Sequence, residues 1–252
     1  MRFIISPAKK MKMDTDSFAT AGTPLFLEDA RQLLAYLRTL SLPQCKALWK
    51  CNDALAQLNY QRVQQMNLER NLTPALFAYE GIQYQYMAPD VFTQEQLDYV
   101  QEHLRILSGF YGLLRPLDGV APYRLEMQAK PSGASFKTLY EFWGNRLADA
   151  LSQETNCLVN LASKEYSKCV QGKLSAGVEL VQVTFGQRTG DKITEKATLA
   201  KMARGAMVRY AAECNCQTPQ DLTGFNRFGF MYDAQRSTAQ HLVFVQTEPQ
   251  GD

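Results

Sequence analysis

One stretch of the chain decides the predicted fold: Leu104-Arg105-Ile106-Leu107-Ser108-Gly109-Phe110-Tyr111-Gly112-Leu113-Leu114-Arg115-Pro116. A helix is expected to lead into it, because Thr93 and Gln96 form a capping box just upstream. Apolar residues then recur at helical spacing and form the predicted buried stripe: Leu97, Val100, Leu104 and Leu107. Gly109 is placed to end this helix, so we expect an ordered loop or short turns after it.

The turn resembles the DNA-binding helix-hairpin-helix element, whose pattern is h-x-x-h-x-G-h-G with h an apolar residue. The residues that fit this pattern are Leu104, Leu107, Gly109 and Phe110. Tyr111 is one extra residue before Gly112, and Arg105 and Arg115 flank the turn. Glycines permit positive φ, and backbone N–H groups in such turns bind phosphate oxygens. The alternative is a helix C-cap followed by a purely structural loop.

Strands and helices are mixed along the rest of the chain. The predicted strands are Arg2 to Ile5, Cys157 to Leu161, residues 178 to 185 with a hairpin turn at Thr189-Gly190-Asp191 into Ile193 to Thr198, and a last hairpin of Phe228 to Tyr232 with His241 to Gln246. The other predicted helices are Pro24 to Leu40, Pro43 to Cys51, Asp53 to Gln65, Thr138 to Ser152 and Leu199 to Cys214. Regular βαβ alternation is absent, so we predict an α+β fold with a mixed sheet surrounded by helices. No linker or repeat divides the sequence, and residues 1–252 read as a single domain.

Composition describes a soluble globular chain. Of the 252 residues, 46% are hydrophobic and 21% charged, which excludes disorder, collagen and coiled coil. No stretch approaches the roughly 18 apolar residues that a membrane-spanning helix needs. The N-terminus lacks the apolar run of a signal peptide, because Ser6-Pro7 follows closely on the first strand. We therefore expect a cytoplasmic protein that does not associate with membranes.

Cysteine and histidine usage limits the chemistry. The six cysteines include no C-x-x-C pair, and six reduced, mostly buried thiols are expected. His103 and His241 are the only histidines, which excludes a histidine-rich metal site or a pair of catalytic histidines. Nothing matches a P-loop, a dinucleotide fingerprint or a nucleophile elbow. We predict no metal and no cofactor.

The formal net charge of +2 is distributed unevenly. The segments 1–12 and 103–209 carry net charges of +4 and +6, whereas segments 13–102 and 210–252 carry −5 and −3. An anion-binding surface shared by the two basic segments would produce this pattern. Ordinary solvated lysines are the alternative.

Three further segments carry residues that suit an anion site. Arg124 lies in Pro122-Tyr123-Arg124-Leu125-Glu126-Met127 and could clamp an anion or pair with a nearby carboxylate. Ser163-Lys164-Glu165-Tyr166 and Lys9 each follow a predicted strand, a usual place for ligand contacts. Lys201 and Arg204 share one face of the last predicted helix. Considered alone, each of these residues is better explained as an ordinary surface residue than as part of a site.

At these residues the chain resembles the YaaA family of peroxide-stress resistance proteins. The matching stretches run across nearly the whole chain and are Ile5 to Lys9, Arg105 to Asp118, Pro122 to Met127, Phe142-Trp143-Gly144, Asn160 to Ser163 with Glu165-Tyr166, Lys201 with Ala203-Arg204-Gly205, and Leu222 to Phe225. The block around Gly109 is long enough to make coincidence improbable.

The resemblance implies a cytoplasmic protein that protects against hydrogen peroxide by limiting the free iron that drives oxidative damage. It further implies a compact single-domain fold with a helix-hairpin-helix-like element at residues 104–116, and binding of duplex or distorted DNA in a positively charged cleft. Carried over to this sequence, the cleft cations are Lys9, Arg105, Arg115, Arg124, Lys164, Lys201 and Arg204. The hairpin would add Ser108, Gly109, Tyr111 and Gly112.

Three hypotheses follow from these residues. The first is a DNA-binding stress protein whose cations contact phosphates, with strong salt dependence. The second is an enzyme for a small anionic or nucleobase-containing substrate, because the matching blocks hold more ionisable groups than a phosphate clamp needs. Its pocket would gather Lys9, Arg124, Glu126, Lys164, Glu165, Tyr166 and Lys201. The catalytic candidates there are Glu126, Lys164, Glu165 and Tyr166, with either Glu126 or Glu165 as general base.

The third and weakest hypothesis is direct iron sequestration. Carboxylates without histidine partners make a poor Fe(II) site, since the usual facial triad needs two His and one carboxylate. The discriminating observation is whether the basic residues line one continuous groove wide enough for a duplex or instead surround a closed pocket.

Overall fold

A mixed β-sheet of eight strands runs through the computed structural model, which describes residues 1–189 and 192–246. The strands in chain order are β1 Arg2–Ile5, β2 Lys10–Met11, β3 Thr73–Pro74, β4 Tyr79–Glu80, β5 Leu104–Ser108, β6 Gly112–Leu114, β7 Gly119–Val120, β8 Cys157–Leu161, β9 Glu179–Thr189, β10 Lys192–Thr194, β11 Phe230–Tyr232 and β12 His241–Gln246. Four of these, β2 with β4 and β3 with β7, form two separate two-stranded sheets. The predicted turn at Thr189-Gly190-Asp191 includes Gly190 and Asp191, which lie outside the described residues.

The helices pack around this sheet. In chain order they are α1 Leu27–Thr39, α2 Leu42–Trp49, α3 Asp53–Gln65, α4 Ala75–Ala78, α5 Ile82–Met87, α6 Gln94–His103, α7 Leu139–Trp143, α8 Arg146–Glu154, α9 Lys164–Ser167 and α10 Ala197–Glu213, with short 3-10 turns at Pro89–Val91 and Pro219–Gly224. Within the described residues, no helix is both long and apolar enough to cross a membrane.

The centre of the large sheet is parallel and its edges are antiparallel. The strand order is β11-β12-β9-β8-β1-β5-β6, with β10 pairing with β9. Five neighbours from β12 to β5 run parallel, whereas β11, β6 and β10 pair antiparallel. The predicted α+β class with a mixed sheet is confirmed. The carboxyl ends of β1, β5 and β8 consequently meet at one edge of the sheet.

Strand β1 is the middle of the parallel region. Its last three residues, Phe3, Ile4 and Ile5, are at most 1% exposed, because they are covered on both faces of the sheet. Ile4 pairs with Arg105 on one side and with Asn160 on the other. The prediction of a short apolar strand that ends before Ser6-Pro7 is therefore confirmed, and β8 matches its predicted bounds as well.

Several helix predictions are confirmed by local signals. Helix α3 has the predicted bounds, and the Thr93 capping box starts α6, with Thr93 Oγ1 accepting from the Gln96 N–H at 3.3 Å. The single helix expected from Thr138 to Ser152 is instead two helices, α7 and α8. Gly144 between them adopts φ 54°, a left-handed value that breaks the helix.

Residues 104–116, on which the fold prediction was based, fold differently from that prediction. Helix α6 ends at His103, and Leu104–Ser108 forms β5, which pairs with β1 rather than completing the helical stripe. Gly112, at φ 75°, begins β6, which returns antiparallel to β5. The predicted helix-hairpin-helix-like element is therefore wrong, since a strand flanks the turn on each side. A short apolar run fits a buried strand as well as a helix, and here pairing with β1 decides.

Candidate functional site

A cavity of about 380 Å³ lies at the carboxyl ends of β1 and β8. Its lining comes from five parts of the chain: the segment after β1, helix α5 with the residues before it, the segment 123–126, the residues after β8, and helix α10. The lining residues that bear on its chemistry are Ser6, Lys9, Lys10, Glu80, Tyr84, Tyr123, Arg124, Glu126, Ser163, Glu165, Tyr166, Lys201 and Arg204. Ligands commonly bind at such an edge of a parallel sheet.

The two loops that leave the sheet are tied together. The Ser163 N–H donates to Ser6 Oγ at 2.8 Å, and the two hydroxyl oxygens lie 3.2 Å apart. Tyr84 on α5 donates its hydroxyl to the Ser6 carbonyl oxygen at 3.0 Å. A Cβ at Gly81 would approach the Ala8 Cβ to 2.9 Å, so glycine allows α5 to pack closely on this loop. These contacts hold one side of the cavity in a fixed shape.

The β5–β6 hairpin supports the segment that carries Arg124 and Glu126. A Cβ at Gly109 would overlap the carbonyl oxygen of Leu125, so only glycine permits this approach. Below it, the Tyr123 hydroxyl lies 2.6 Å from Ser108 Oγ. The glycine turn is thus a support for the cavity wall.

Helix α10 contributes two cations to the cavity lining. Gly205 packs against α5 so closely that a Cβ there would overlap the Gln83 carbonyl oxygen. Lys201 and Arg204 lie within one turn of this contact and line the cavity. Close packing therefore explains a glycine in the interior of α10 and offsets its cost of about 1 kcal/mol relative to alanine.

Several residues of the cavity lining form ion pairs with one another. Lys9 Nζ lies 2.8 Å from Glu126 Oε2, and Arg124 Nη2 lies 3.5 Å from Glu126 Oε1. Lys10 pairs with Glu80 at 3.0 Å. Glu126 is therefore shared by two cations.

Two arginines in the lining keep unused donors. The Arg124 Nε and the Arg204 Nε are buried and have no hydrogen-bond partner among the described residues. Arg204 Nη2 makes a 3.4 Å contact with Glu195 Oε1, and burial lowers the pKa of Arg204. An unpartnered buried N–H costs free energy, about 1–3 kcal/mol, which an incoming acceptor would recover.

Of the three carboxylates in the lining, Glu165 is the one without an ion pair to the residues that the structure describes. Its Oε1 accepts from the Gln128 N–H at 3.1 Å. Burial raises the pKa of Glu165, the neighbouring Glu126 raises it further, and Lys9 opposes both effects. Glu126 and Glu165 thus occupy contrasting environments in one cavity, a pattern typical of acid–base sites.

Tyr166 and Lys164 follow β8 but face different surroundings. Tyr166 is 6% exposed and lines the cavity, and burial raises its pKa well above the ordinary value. Lys164 is exposed and is not part of the lining. Of the seven residues predicted to meet in one pocket, six do so and Lys164 does not. Arg204, predicted only as a cleft cation, joins them.

Arg105 and Arg115 lie at a separate cavity of about 280 Å³, near the amino-terminal end of β5. Arg105 is 3% exposed and donates its Nε to Glu154 Oε2 at 2.7 Å. Its Nη1 donates to the carbonyl oxygens of Gln101, Glu102 and Leu104. Arg115 is largely exposed, 3.9 Å from Glu154. The predicted single basic cleft is thus two separate sites.

The hairpin amides expected to meet phosphate are used internally. Ser108 Oγ accepts from the N–H groups of Phe110 at 3.2 Å and of Tyr111 at 2.8 Å. Ser108 and Tyr111 are at most 1% exposed. A Cβ at Gly112 would meet the ring of Trp143 at 2.7 Å. These residues therefore shape the interior.

Sequence reasoning missed part of the lining. Tyr84 and Gln83 reach the cavity from α5, and neither was among the predicted site residues. Ser6 was noted only as the end of a strand, although its position after a strand was the available signal. Among residues 1–189 and 192–246, no group of three or more His, Cys, Asp or Glu side chains is placed to hold a metal ion.

Comparison with known proteins identifies similar chains, and the similarity covers all the residues that line the cavity. A family model described as peroxide stress protein YaaA matches residues 1–236. A UPF0246 protein of Lachnoclostridium phytofermentans is 52% identical over 98% of this chain and 97% of its own length. UPF0246 proteins of Lactiplantibacillus plantarum and Pediococcus pentosaceus are 49% and 48% identical, over 97% and 98% of this chain and 99% of each relative.

Proposed function

The chain belongs to the peroxide stress protein YaaA family, and from this premise we propose that it serves peroxide-stress resistance as an enzyme. Its substrate is a small anionic or nucleobase-containing metabolite, bound in the cavity at the carboxyl ends of β1 and β8. The family description supports the role in peroxide stress, and the geometry of the cavity supports the rest.

One observation carries the proposal: buried arginines with unused donors share a cavity with a pair of carboxylates. Arg124 and Arg204 both line the cavity, and among the described residues neither Nε has a hydrogen-bond partner, so an anionic ligand would supply the missing acceptors. A volume of about 380 Å³ suits a metabolite, since ligand pockets span roughly 300–1,000 Å³.

The two carboxylates, Glu126 and Glu165, have different roles in this proposal. Glu126 is held between Lys9 and Arg124 and serves as a fixed negative charge that orients both cations. Glu165 has no cationic partner within ion-pair distance among the described residues, and its raised pKa brings it nearer to neutrality, where proton transfer is effective. Of the two candidate general bases, the environment favours Glu165.

Binding of duplex or distorted DNA, implied by the family resemblance, has less support from the geometry. The amides of Phe110 and Tyr111 are committed to Ser108, and Arg105 is committed to Glu154. The remaining cations surround a cavity with three carboxylates, which repel a phosphate backbone. DNA affinity that falls steeply between low and moderate salt, and that drops on Arg115→Ala, is the result that would restore that hypothesis.

The proposed link to iron-dependent damage is indirect. His103 Nδ1 lies 2.9 Å from the Met1 carbonyl oxygen, and His241 Nε2 lies 2.8 Å from Thr184 Oγ1, so both histidines are engaged outside the cavity lining. Glu126 in the cavity is already paired with cations. We therefore assign the effect on oxidative damage to the metabolite reaction, and iron titration with stoichiometric tight binding would contradict this assignment.

The direct test compares metabolite pools in strains with and without the gene, with and without peroxide. The expected result is accumulation of an anionic substrate in the deletion strain, and that compound should raise the melting temperature of the purified protein. Arg124→Gln should abolish the thermal shift, whereas Lys164→Gln, outside the cavity, should preserve it. Unchanged pools together with no stabilising metabolite would refute the proposed function.

A further inference from the structure

The cations of the cavity differ in how fully the protein neutralises them. Lys10 has Glu80 to itself at 3.0 Å, and Lys9 has the shortest contact with Glu126. Within residues 1–189 and 192–246, Arg124 keeps only the longer 3.5 Å contact with Glu126, and its buried Nε has no partner. Its side chain is 11% exposed, so water does not replace the missing acceptor. Arg124 therefore keeps a buried donor that an acceptor atom of a ligand would satisfy.

Helix α10 adds two further cations that the protein does not fully neutralise. Arg204 has a 3.4 Å contact with Glu195, outside the cavity lining, and its Nε is buried and unpartnered. Lys201, one turn earlier, makes no ion pair with the part of the chain that the structure describes. The lining as a whole holds five basic side chains and three carboxylates, an excess of two positive charges. A ligand with two negative charges would balance them.

We infer that Arg124, Lys201 and Arg204 form a subsite for the phosphate group of a small phosphate monoester. This inference rests on the proposed function and narrows its substrate class. The second ionisation of a phosphate monoester has a pKa near 6, so the group carries close to two negative charges at neutral pH. Its three terminal oxygens accept hydrogen bonds from several donors at once, which suits two guanidinium groups and an ammonium.

The other lining residues determine which organic group the phosphate of the ligand can carry. Ile82 and Leu125 give apolar wall, and Glu165 gives a carboxylate that accepts hydrogen bonds from a hydroxyl or amino group. The cavity volume of about 380 Å³ leaves room for a small organic group beside the phosphate. A phosphodiester backbone carries one charge per phosphate and continues in both directions, so it matches neither the charge nor the enclosure.

The test is isothermal titration of the full-length protein with three defined probes at pH 7.5: methyl phosphate, dimethyl phosphate and succinate. Methyl phosphate carries the monoester dianion, dimethyl phosphate represents the nucleic-acid diester, and succinate carries two negative charges on separated carboxylates. The expected result is binding of methyl phosphate at least about tenfold tighter than either other probe.

Variants locate the subsite. Arg124→Gln and Arg204→Gln should each weaken methyl phosphate binding about tenfold, since each removes a charged hydrogen-bond donor. Lys201→Gln, at an exposed position that folding tolerates, should weaken it about threefold. Lys164→Gln is the matched control, because it removes one positive charge near β8 outside the cavity and should leave the affinity unchanged.

The outcomes separate this inference from the proposed function. Dimethyl phosphate binding as tightly as methyl phosphate, or succinate binding more tightly, overturns the monoester subsite and leaves the small-anion function standing. Methyl phosphate binding that is insensitive to Arg124→Gln, Arg204→Gln and Lys201→Gln also overturns the subsite. Failure of all three probes overturns it as well, whereas the comparison of metabolite pools decides the proposed function independently.

Discussion

Arg105 and Arg124 are both buried arginines in segments that match the family, yet their surroundings are opposite. Arg105, near the amino-terminal end of β5, donates to a carboxylate and to three backbone carbonyl oxygens. Arg124, at the carboxyl edge of the sheet, has one 3.5 Å contact with Glu126 and a buried Nε without a partner. The protein itself satisfies the first arginine and leaves the second for a ligand.

The difference shows how a structural arginine is told from a binding arginine. Two of the carbonyl oxygens that Arg105 binds belong to the last turn of α6, whose final C=O groups have no partner within the helix. Arg105 therefore caps α6 and joins it to Glu154 on α8. Burial alone does not identify a site, whereas burial with unsatisfied donors does.

The strongest challenge to this comparison is to remove each arginine and measure stability. Arg105→Ala should lower the free energy of unfolding by about 3–5 kcal/mol, because it strips a buried partner from Glu154 and uncaps α6. Arg124→Gln should change it by less than about 1 kcal/mol, because Lys9 still neutralises Glu126. Urea unfolding followed by circular dichroism measures both, with exposed Arg115→Ala as the control. Equal losses for Arg105 and Arg124 would break the distinction.

A second substitution tests whether packing places the binding cations. Gly205→Ala should cost about 1–3 kcal/mol of stability, because the new Cβ overlaps the Gln83 carbonyl oxygen and pushes α10 from α5. The same shift should weaken methyl phosphate binding by displacing Lys201 and Arg204. Thr198→Ala, at an exposed position on α10, should do neither. A Gly205→Ala protein of unchanged stability would show that the close approach is not required.

The cavity beside Arg105 also contains a carboxylate, and burial opposes the ionisation of that carboxylate. Asp118 is 3% exposed, and burial raises its pKa to about 6. Because the folded protein then binds this proton more tightly than the unfolded chain does, the stability that Asp118 contributes is full below about pH 4 and is lost as the pH rises through 6.

Asp118→Asn should therefore be more stable than the parent protein at pH 8, by about 1–2 kcal/mol, with the difference vanishing near pH 4. Its amide oxygen can still accept the Arg115 N–H, which donates to Asp118 Oδ2 at 2.8 Å. Thermal unfolding across this pH range measures the difference between the two proteins. A variant that is less stable at every pH would mean that the Asp118 carboxylate is required in its ionised form.

The smallest effect concerns the unpaired carboxylate of the cavity. At pH 8 Glu165 is ionised and repels an anionic ligand, so Glu165→Gln should tighten methyl phosphate binding about threefold. At lower pH the advantage should shrink as the Glu165 carboxylate protonates, which its raised pKa makes accessible. Titration at several pH values measures the ratio, with exposed Glu28→Gln as the control. Weaker binding of methyl phosphate by Glu165→Gln would show that the carboxylate supports the phosphate group itself and not only the organic group beside it.

Local sequence signals predicted the elements whose determinants lie close together in the chain. The Thr93 capping box involves residues three apart, and the strand β1 is a continuous apolar run ended by proline. The residues after β1 and β8 were expected at one site because parallel strands end at the same edge. Lys164 was misplaced because adjacent residues after a strand point in different directions, and its side chain turns to solvent.

The family, the mixture of strands and helices, and the cations and carboxylates of the matching segments could all be read from the sequence. The tertiary structure was needed to show that Leu104–Ser108 is a strand, because its partner β1 is about a hundred residues away. It also decided which arginines remain free to bind. Arg105 is satisfied by Glu154, 49 residues distant, whereas no such acceptor reaches the Nε of Arg124. Hydrogen-bond satisfaction is a property of packed neighbours, and sequence spacing does not encode it.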